Sequence, residues 1–180
     1  WIVLPMLRDL FEKTRNASSL GALKKLSLAY WGMQLGHLGV AVTLVGVAVV
    51  SNYSIEQNVR MAPGDSVEVA GYTFTMNELS SRQGANFLAD RANISVQPGD
   101  SSRSFAMNPE KRLYLATRMP MSQVALRPGF LRDLYVAMGE DLGDGSWALR
   151  VQYKPFVRWL WLGGLLMAFG GVLAVADKRY

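Results

Sequence analysis

Residues 26–50 read LSLAYWGMQLGHLGVAVTLVGVAVV, a run with no acidic or basic residue except the chain's only histidine, His37. At about 1.5 Å of rise per residue such a run reaches about 37 Å, enough to cross a hydrocarbon core of about 30 Å with some tilt. The stretch therefore predicts a membrane-spanning helix. Hydrocarbon offers no water to an imidazole, so an ionisable side chain there is by default a candidate functional site. Two readings of His37 stand side by side. A neutral imidazole ligates haem iron, or relays protons, without needing a counter-charge; it also ties helices together through a hydrogen bond.

Around His37 the run has its own pattern. Gly32, Gly36, Gly39, Thr43 and Gly46 recur every three or four residues and place a smooth stripe beside the imidazole. Small side chains let another backbone or a flat ligand come close; taken alone, the stripe favours helix packing. Gln34 lies one turn before His37 and suits a partner helix better than a ligand carboxylate. Tyr30 and Trp31 fall where an interfacial aromatic belt is expected.

Further out, a second span covers residues 155–176, with its apolar run from Phe156 to Ala176. Trp159 and Trp161 mark its entry, Arg158 can snorkel to the headgroups, and a short tail, 177–180, carries Lys178 and Arg179. Gly163-Gly164 and Gly170-Gly171 offer further close-packing positions. Between the spans, residues 51–154 are polar and broken by Pro63-Gly64-Asp65, Pro98-Gly99-Asp100, Pro128-Gly129 and Gly143-Asp144-Gly145. Between these turns Ser66–Val69, Gly71–Met76, Ala92–Val96 and Trp147–Tyr153 alternate apolar and polar residues as half-buried strands do. Leu131–Gly139 fits a strand or a short helix. A segment of about a hundred residues is long enough for a small β-rich domain with its own core.

The N-terminal part divides in two. Residues 1–7, opening on Trp1, form an apolar stub too short to span and read as the end of a preceding transmembrane helix. The chain is thus expected to be a C-terminal piece of a longer polytopic protein. Residues 8–25 form a basic segment with Arg8, Lys13, Arg15, Lys24 and Lys25, and Asn16-Ala17-Ser18-Ser19 supplies a turn and a candidate N-cap. Arg60, Arg150, Lys154 and Arg158 flank the other side of the spans. Because long loops translocate regardless of charge, the short basic segments decide orientation, which puts 8–25 and 177–180 in the cytoplasm and 51–154 outside it.

Composition agrees with a membrane protein: 50% of the 180 residues are hydrophobic, 18% are charged, and mean hydropathy is +0.11. The net charge of +5 comes from 19 basic and 14 acidic residues, without the basic, aromatic-interleaved stripe that nucleic acid requires. The absence of cysteine removes disulfides, thiol nucleophiles and thiolate-bound metals together. In 51–154 no His, Cys or clustered carboxylates fall at ligand spacing, so no metal site is expected there. Ser122 has no histidine in that segment to activate it. The fold class is a membrane protein, α+β overall, in which α-helical transmembrane segments flank a β-rich extracytoplasmic domain.

Gly36-His-Leu-Gly-Val-Ala-Val42 followed by Asn52-Tyr-Ser54 resembles the late histidine-bearing helix of the cytochrome c maturation family CcmF, also called CycK. Pro63-Gly-Asp-Ser66 with Gly71-Tyr72, Asn108-Pro-Glu-Lys-Arg112 with Tyr114, Met119-Pro-Met-Ser-Gln123 and Arg132-Asp-Leu-Tyr135 match the family in order. Lys154-Pro-Phe-Val-Arg-Trp-Leu-Trp-Leu-Gly-Gly164 resembles its ending most closely. The resemblance implies part of a haem lyase of cytochrome c-type biogenesis in the bacterial inner membrane, with 51–154 in the periplasm. It implies an integral haem b with His37 as one axial ligand to the iron, the second ligand lying outside this chain. Gly32, Gly36 and Gly39 would then pack the helix around that haem. Implied partners are membrane lipid, the haem chaperone CcmE, and apocytochrome c with its chaperone subunits CcmH and CcmI; nucleic acid is not among them. The family's tryptophan-rich segment and its other histidines have no match here, so no catalytic residue is assigned and the chain alone is not expected to catalyse thioether formation. The competing reading is a membrane sensor or adaptor whose ligand domain sits between two helices. A sensor needs a signalling output after its second helix, which the short tail 177–180 does not supply.

Overall fold

The computed structural model describes residues 3–14, 26–99 and 102–177, which form two compact units. One is helical and draws on the described residues before Tyr53 and after Pro155; the other is built of strands and runs from Tyr53 to Pro155. The expected turn at Asn16-Ala17-Ser18-Ser19, the stub's Trp1, the basic residues Arg15, Lys24 and Lys25, and tail residues 178–180 lie outside the described residues.

In the helical unit, α1 covers Val3–Thr14 and does not stop at Leu7, the expected boundary of the apolar stub. Arg8 pairs with Glu12 at 2.8 Å and Lys13 with Asp9 at 3.3 Å. Pairs four residues apart meet on one helix face and carry the helix through the charged stretch.

Helix α2 covers Leu28–Tyr53 and α3 covers Val157–Ala176. Both are long and apolar enough to cross a membrane. At the start of α2, the Tyr30 amide donates to Ser27 Oγ at 3.1 Å and the Ala29 amide to Asp177 Oδ2 at 2.8 Å. These oxygens satisfy amides that have no partner within the helix, and the carboxylate suits the positive end of its dipole. Leu44, Val45, Leu165, Phe169, Val172 and Val175 are exposed. A soluble core helix would bury such side chains; in lipid, turning them outward carries no penalty.

In the strand unit, β1 (Ile55–Met61), β8 (Ala125–Arg127), β9 (Arg132–Asp141) and β10 (Trp147–Pro155) form one antiparallel sheet in the order β1-β10-β9-β8. The second sheet has the order β2-β3-β4-β6-β7, from β2 (Ser66–Val69), β3 (Tyr72–Gln83), β4 (Phe87–Pro98), β6 (Glu110–Tyr114) and β7 (Pro120–Gln123). A short β5 (Phe105–Met107) pairs with the far part of β4, so β5 and β6 share one flank of that strand in succession.

Alternation along the strands builds the core. Ala92, Ile94 and Val96 of β4, Leu134, Val136 and Met138 of β9, and Trp147, Leu149 and Val151 of β10 join Phe74 and Met76 of β3 in one buried cluster. Leu131–Gly139, open between helix and strand in sequence, lies largely in β9. Its buried residues, Leu134, Val136 and Met138, recur every second position, which a strand turns to one side and a helix would scatter. The expected Pro63-Gly64-Asp65 turn forms, with the Ala62 amide donating to Asp65 Oδ2 at 2.8 Å.

Two predictions arise from the loops. Ala70 and Gly71 join β2 to β3 with φ of 53° and 75°. A two-residue hairpin of this left-handed kind favours Asn-Gly: a side chain there costs about 1 kcal/mol, which Asn offsets by hydrogen-bonding the neighbouring backbone and Ala does not. Ala70→Asn is expected to stabilise the unit by about 0.5–1 kcal/mol, read from its denaturant midpoint. A lowered midpoint would show that packing of the Ala70 methyl outweighs the backbone strain.

In the β9–β10 loop, the Ser146 hydroxyl and amide both donate to Asp144, which also pairs with Arg60. The Ser146 bonds, and then Arg60, hold the Asp144 carboxyl below the usual carboxylate range. A depressed folded-state pKa means that the ionised form is the stabilising one. The contribution is complete above the unfolded-state pKa and disappears as pH falls through the folded one. Asp144→Asn is therefore expected to flatten the acid limb of the melting-temperature profile, with the variant and parent converging at low pH. Parallel profiles would reject the contribution.

Candidate functional site

His37 sits on α2 nine residues from its start, about 14 Å along the axis at about 1.5 Å per residue. Its Nδ1 lies 2.8 Å from the carbonyl oxygen of Met33, one turn back. A carbonyl only accepts, so Nδ1 is the donor here, and in the neutral imidazole Nε2 is the nitrogen left with a lone pair. A histidine that ligates a metal through one ring nitrogen ordinarily donates the other to a carbonyl or carboxylate, which fixes both tautomer and ring orientation. His37 is exposed on the helix and borders a groove of about 430 Å³ between α2 and α3.

The glycines of the stripe divide into two kinds. A Cβ on Gly32 would strike the Gly170 carbonyl, and one on Gly39 would lie 2.6 Å from the Gly163 carbonyl oxygen. Gly46 faces Leu160 less tightly, at 3.2 Å, and the three pairings show that α2 and α3 run antiparallel in close approach. Gly36 differs. A Cβ there would meet nothing within 4 Å, and the same holds for Gly171 on α3. Both border the groove beside His37, together with Met33, Val40 and Met167. Of the three glycines singled out in sequence, Gly32 and Gly39 are thus closed on α3, and Gly36 leaves space next to the imidazole.

That arrangement fits a haem. The ring nitrogen offered is the one that ligates iron, its tautomer is set by a backbone carbonyl, and the space beside it is apolar and roomy. Among the described residues no group of three His, Cys, Asp or Glu stands close enough to hold a metal ion. A single nitrogen does not by itself enclose a metal; a haem held here would need a further ligand.

Gln34 and Tyr30 belong to a different cluster. Gln34 Nε2 donates to Tyr30 Oη at 2.7 Å and Tyr30 Oη donates to Asp9 Oδ2 of α1 at 2.8 Å. Lys13 Nζ stands 4.1 Å above the Tyr30 ring. Tyr30 is only 9% exposed and joins α1 to α2. Gln34 contacts a neighbouring helix, as favoured from its sequence position. The Tyr30 hydroxyl, followed by Lys13, holds the Asp9 carboxyl below its ordinary range. Sequence reasoning missed Asp9: its only local signal is a spacing of four to Lys13, which names no tertiary partner. In the strand unit, Ser122 Oγ donates to the Met138 carbonyl, which binds β7 to β9.

The family model described as the CcmF C-terminal beta-sandwich matches residues 52–155. The cytochrome c-type biogenesis protein CcmF of Pseudomonas aeruginosa is 46% identical over 180 residues, covering 100% of this chain and 27% of the relative. CcmF of Escherichia coli is 46% identical over 156 residues, 87% of this chain and 24% of that protein. CycK of Rhizobium meliloti is 33% identical over 174 residues, 97% of this chain and 26% of its own length. Among solved structures, a cytochrome c haem lyase CcmF shares the fold with a TM-score of 0.72, covering 98% of this chain and 29% of that one at 17% identity. The chain spans about a quarter of the length of the curated relatives it matches.

Proposed function

The chain belongs to the CcmF family of cytochrome c-type biogenesis proteins, and we propose that it is the C-terminal part of a haem lyase in which His37 is one of two axial ligands of an integral b-type haem. The observation that carries this reading is the Nδ1 contact to the Met33 carbonyl, which leaves Nε2 free beside an open apolar groove. Such a haem supplies one-electron chemistry, with which it could keep substrate haem reduced while a thioether forms. The chain's own residues supply the rest. Met33 holds the imidazole, Gly36 leaves room for the macrocycle edge, and Gly32 and Gly39 fix α3 against α2. Val40 and Met167 keep the surround dry, which tunes the potential.

The second axial ligand lies in sequence outside this chain. In the whole protein, haem passes from CcmE to apocytochrome c presented by CcmH and CcmI, with the strand unit in the periplasm as a docking or scaffolding element. The membrane is the bacterial inner membrane. Reduced-minus-oxidised spectra of the full-length protein, with and without His37→Ala, test the ligand assignment. An unchanged b-type signal would reject it. A C-terminal reporter active only in the cytoplasm tests the topology: it should be active, and activity of a periplasm-only reporter would overturn the orientation.

A further inference from the structure

The strand unit carries an apolar loop that neither its core nor the haem reading uses. We propose that the β8–β9 loop, with Phe130 and Leu131 at its tip, inserts into the lipid surface and anchors the strand unit to the membrane. The inference rests on the reading of α2 and α3 as spanning helices.

Phe130 is 63% exposed and Leu131 56%. The loop that presents them is tightly made: the Gly129 amide donates to Asp133 Oδ1 at 2.9 Å, and a Cβ on Gly129 would lie 2.6 Å from the Arg132 carbonyl oxygen. The same bond turns the carboxylate of Asp133, the second residue of β9, onto the loop backbone. Three cations border the loop in sequence or register, each over an aromatic ring: Arg127 ends β8, Arg132 opens β9, and Lys154 pairs with Asp133. Arg127 lies 4.5 Å from the centroid of Phe105, Arg132 4.8 Å from Tyr72, and Lys154 5.7 Å from Tyr135. Exposed apolar side chains with Arg and Lys at the adjoining strand ends match the boundary where lipid phosphates lie above acyl chains.

Register places this loop on one rim of the unit. Arg132 pairs with Pro155, the last residue of β10, and Tyr153 pairs with Ile55, the first residue of β1. Pro155 precedes the first residue of α3 by two positions, and Ile55 follows the last residue of α2 by two. Two residues of chain span at most about 7 Å, so this is the rim at which the chain enters and leaves the strand unit. The β9–β10 loop, with Leu142 48% exposed, closes the opposite ends of the same strands.

Spin labels on full-length protein in phosphatidylethanolamine/phosphatidylglycerol nanodiscs test the proposal. This chain contributes no cysteine of its own, so single sites can be labelled once any upstream cysteine is replaced by serine. Labels go on Phe130→Cys, on Leu142→Cys as the far-rim reference, and on Leu165→Cys, on the exposed side of α3. The ratio of collisions with oxygen, which partitions into lipid, to those with a water-soluble nickel chelate is expected to be several-fold higher at 130 than at 142, and to approach that at 165. Equal ratios at 130 and 142 would overturn the anchor. Shielding of 130 from both reagents would assign the loop to a protein partner and also overturn it. Nickel access at 165 would instead sink the spanning reading, and this inference with it.

Discussion

In the full-length protein, His37→Ala is expected to remove the b-type signature from the reduced-minus-oxidised spectrum. Alanine offers no donor, and the groove contains no second imidazole to replace it. Met33 and Met167 line the same groove, so a thioether is the only substitute at hand. Its ligation would raise the potential and shift the bands, leaving a spectrum distinguishable from the parent's. Externally added imidazole is expected to restore part of the signal by occupying the vacated space. Two glycine variants separate ligation from helix packing. Gly36→Leu fills open space, so it should lower haem content by an order of magnitude, about 1.4 kcal/mol of affinity, while the melting temperature stays near the parent's. Gly39→Leu drives a side chain into the Gly163 backbone and should lower both. A b-type signal that survives His37→Ala in position and amplitude would end the ligand assignment.

Phe74→Ala is expected to have the largest effect on the strand unit. Phe74 is 0% exposed at the centre of the cluster that joins the two sheets. Truncating a buried phenylalanine costs about 3–5 kcal/mol, from lost burial and from the cavity left behind. A domain of this size has about 5–15 kcal/mol in total, and the chain has no disulfide to absorb the loss. Trp147 belongs to the same cluster, and its fluorescence reports the unfolding transition. Leu126→Ala, at a 51% exposed position, serves as reference and should change stability by less than about 0.5 kcal/mol. A loss at Phe74 of under about 1 kcal/mol would mean that the two sheets do not share one core.

Strands with a buried face were legible in the sequence because burial imposes a period of two on residue choice. Ser66–Val69 is β2 as read, and Ala92–Val96 and Trp147–Tyr153 lie within the longer β4 and β10. β1 escaped because only Met61 among its seven residues is buried, so no alternation marks it. It is a strand because β10 presents it with an unpaired edge. β5 and β8, at three residues each, are too short to carry a period at all. The β2–β3 turn was hidden for another reason: alanine rarely adopts the left-handed conformation that Ala70 holds there.

The candidate site divides along the same line. Sequence alone determined that a lone histidine lies in a charge-free spanning run beside small residues, since length and hydropathy are local properties. Only the tertiary structure decided which glycine does what. Gly32, Gly36 and Gly39 are equivalent in pattern, yet a Cβ on the first or third would run into α3 and one on the second would meet open space. It likewise decided that Tyr30 bonds Asp9 across the helices. Those outcomes depend on where a second helix lies, and spacing along one helix carries no record of its neighbour.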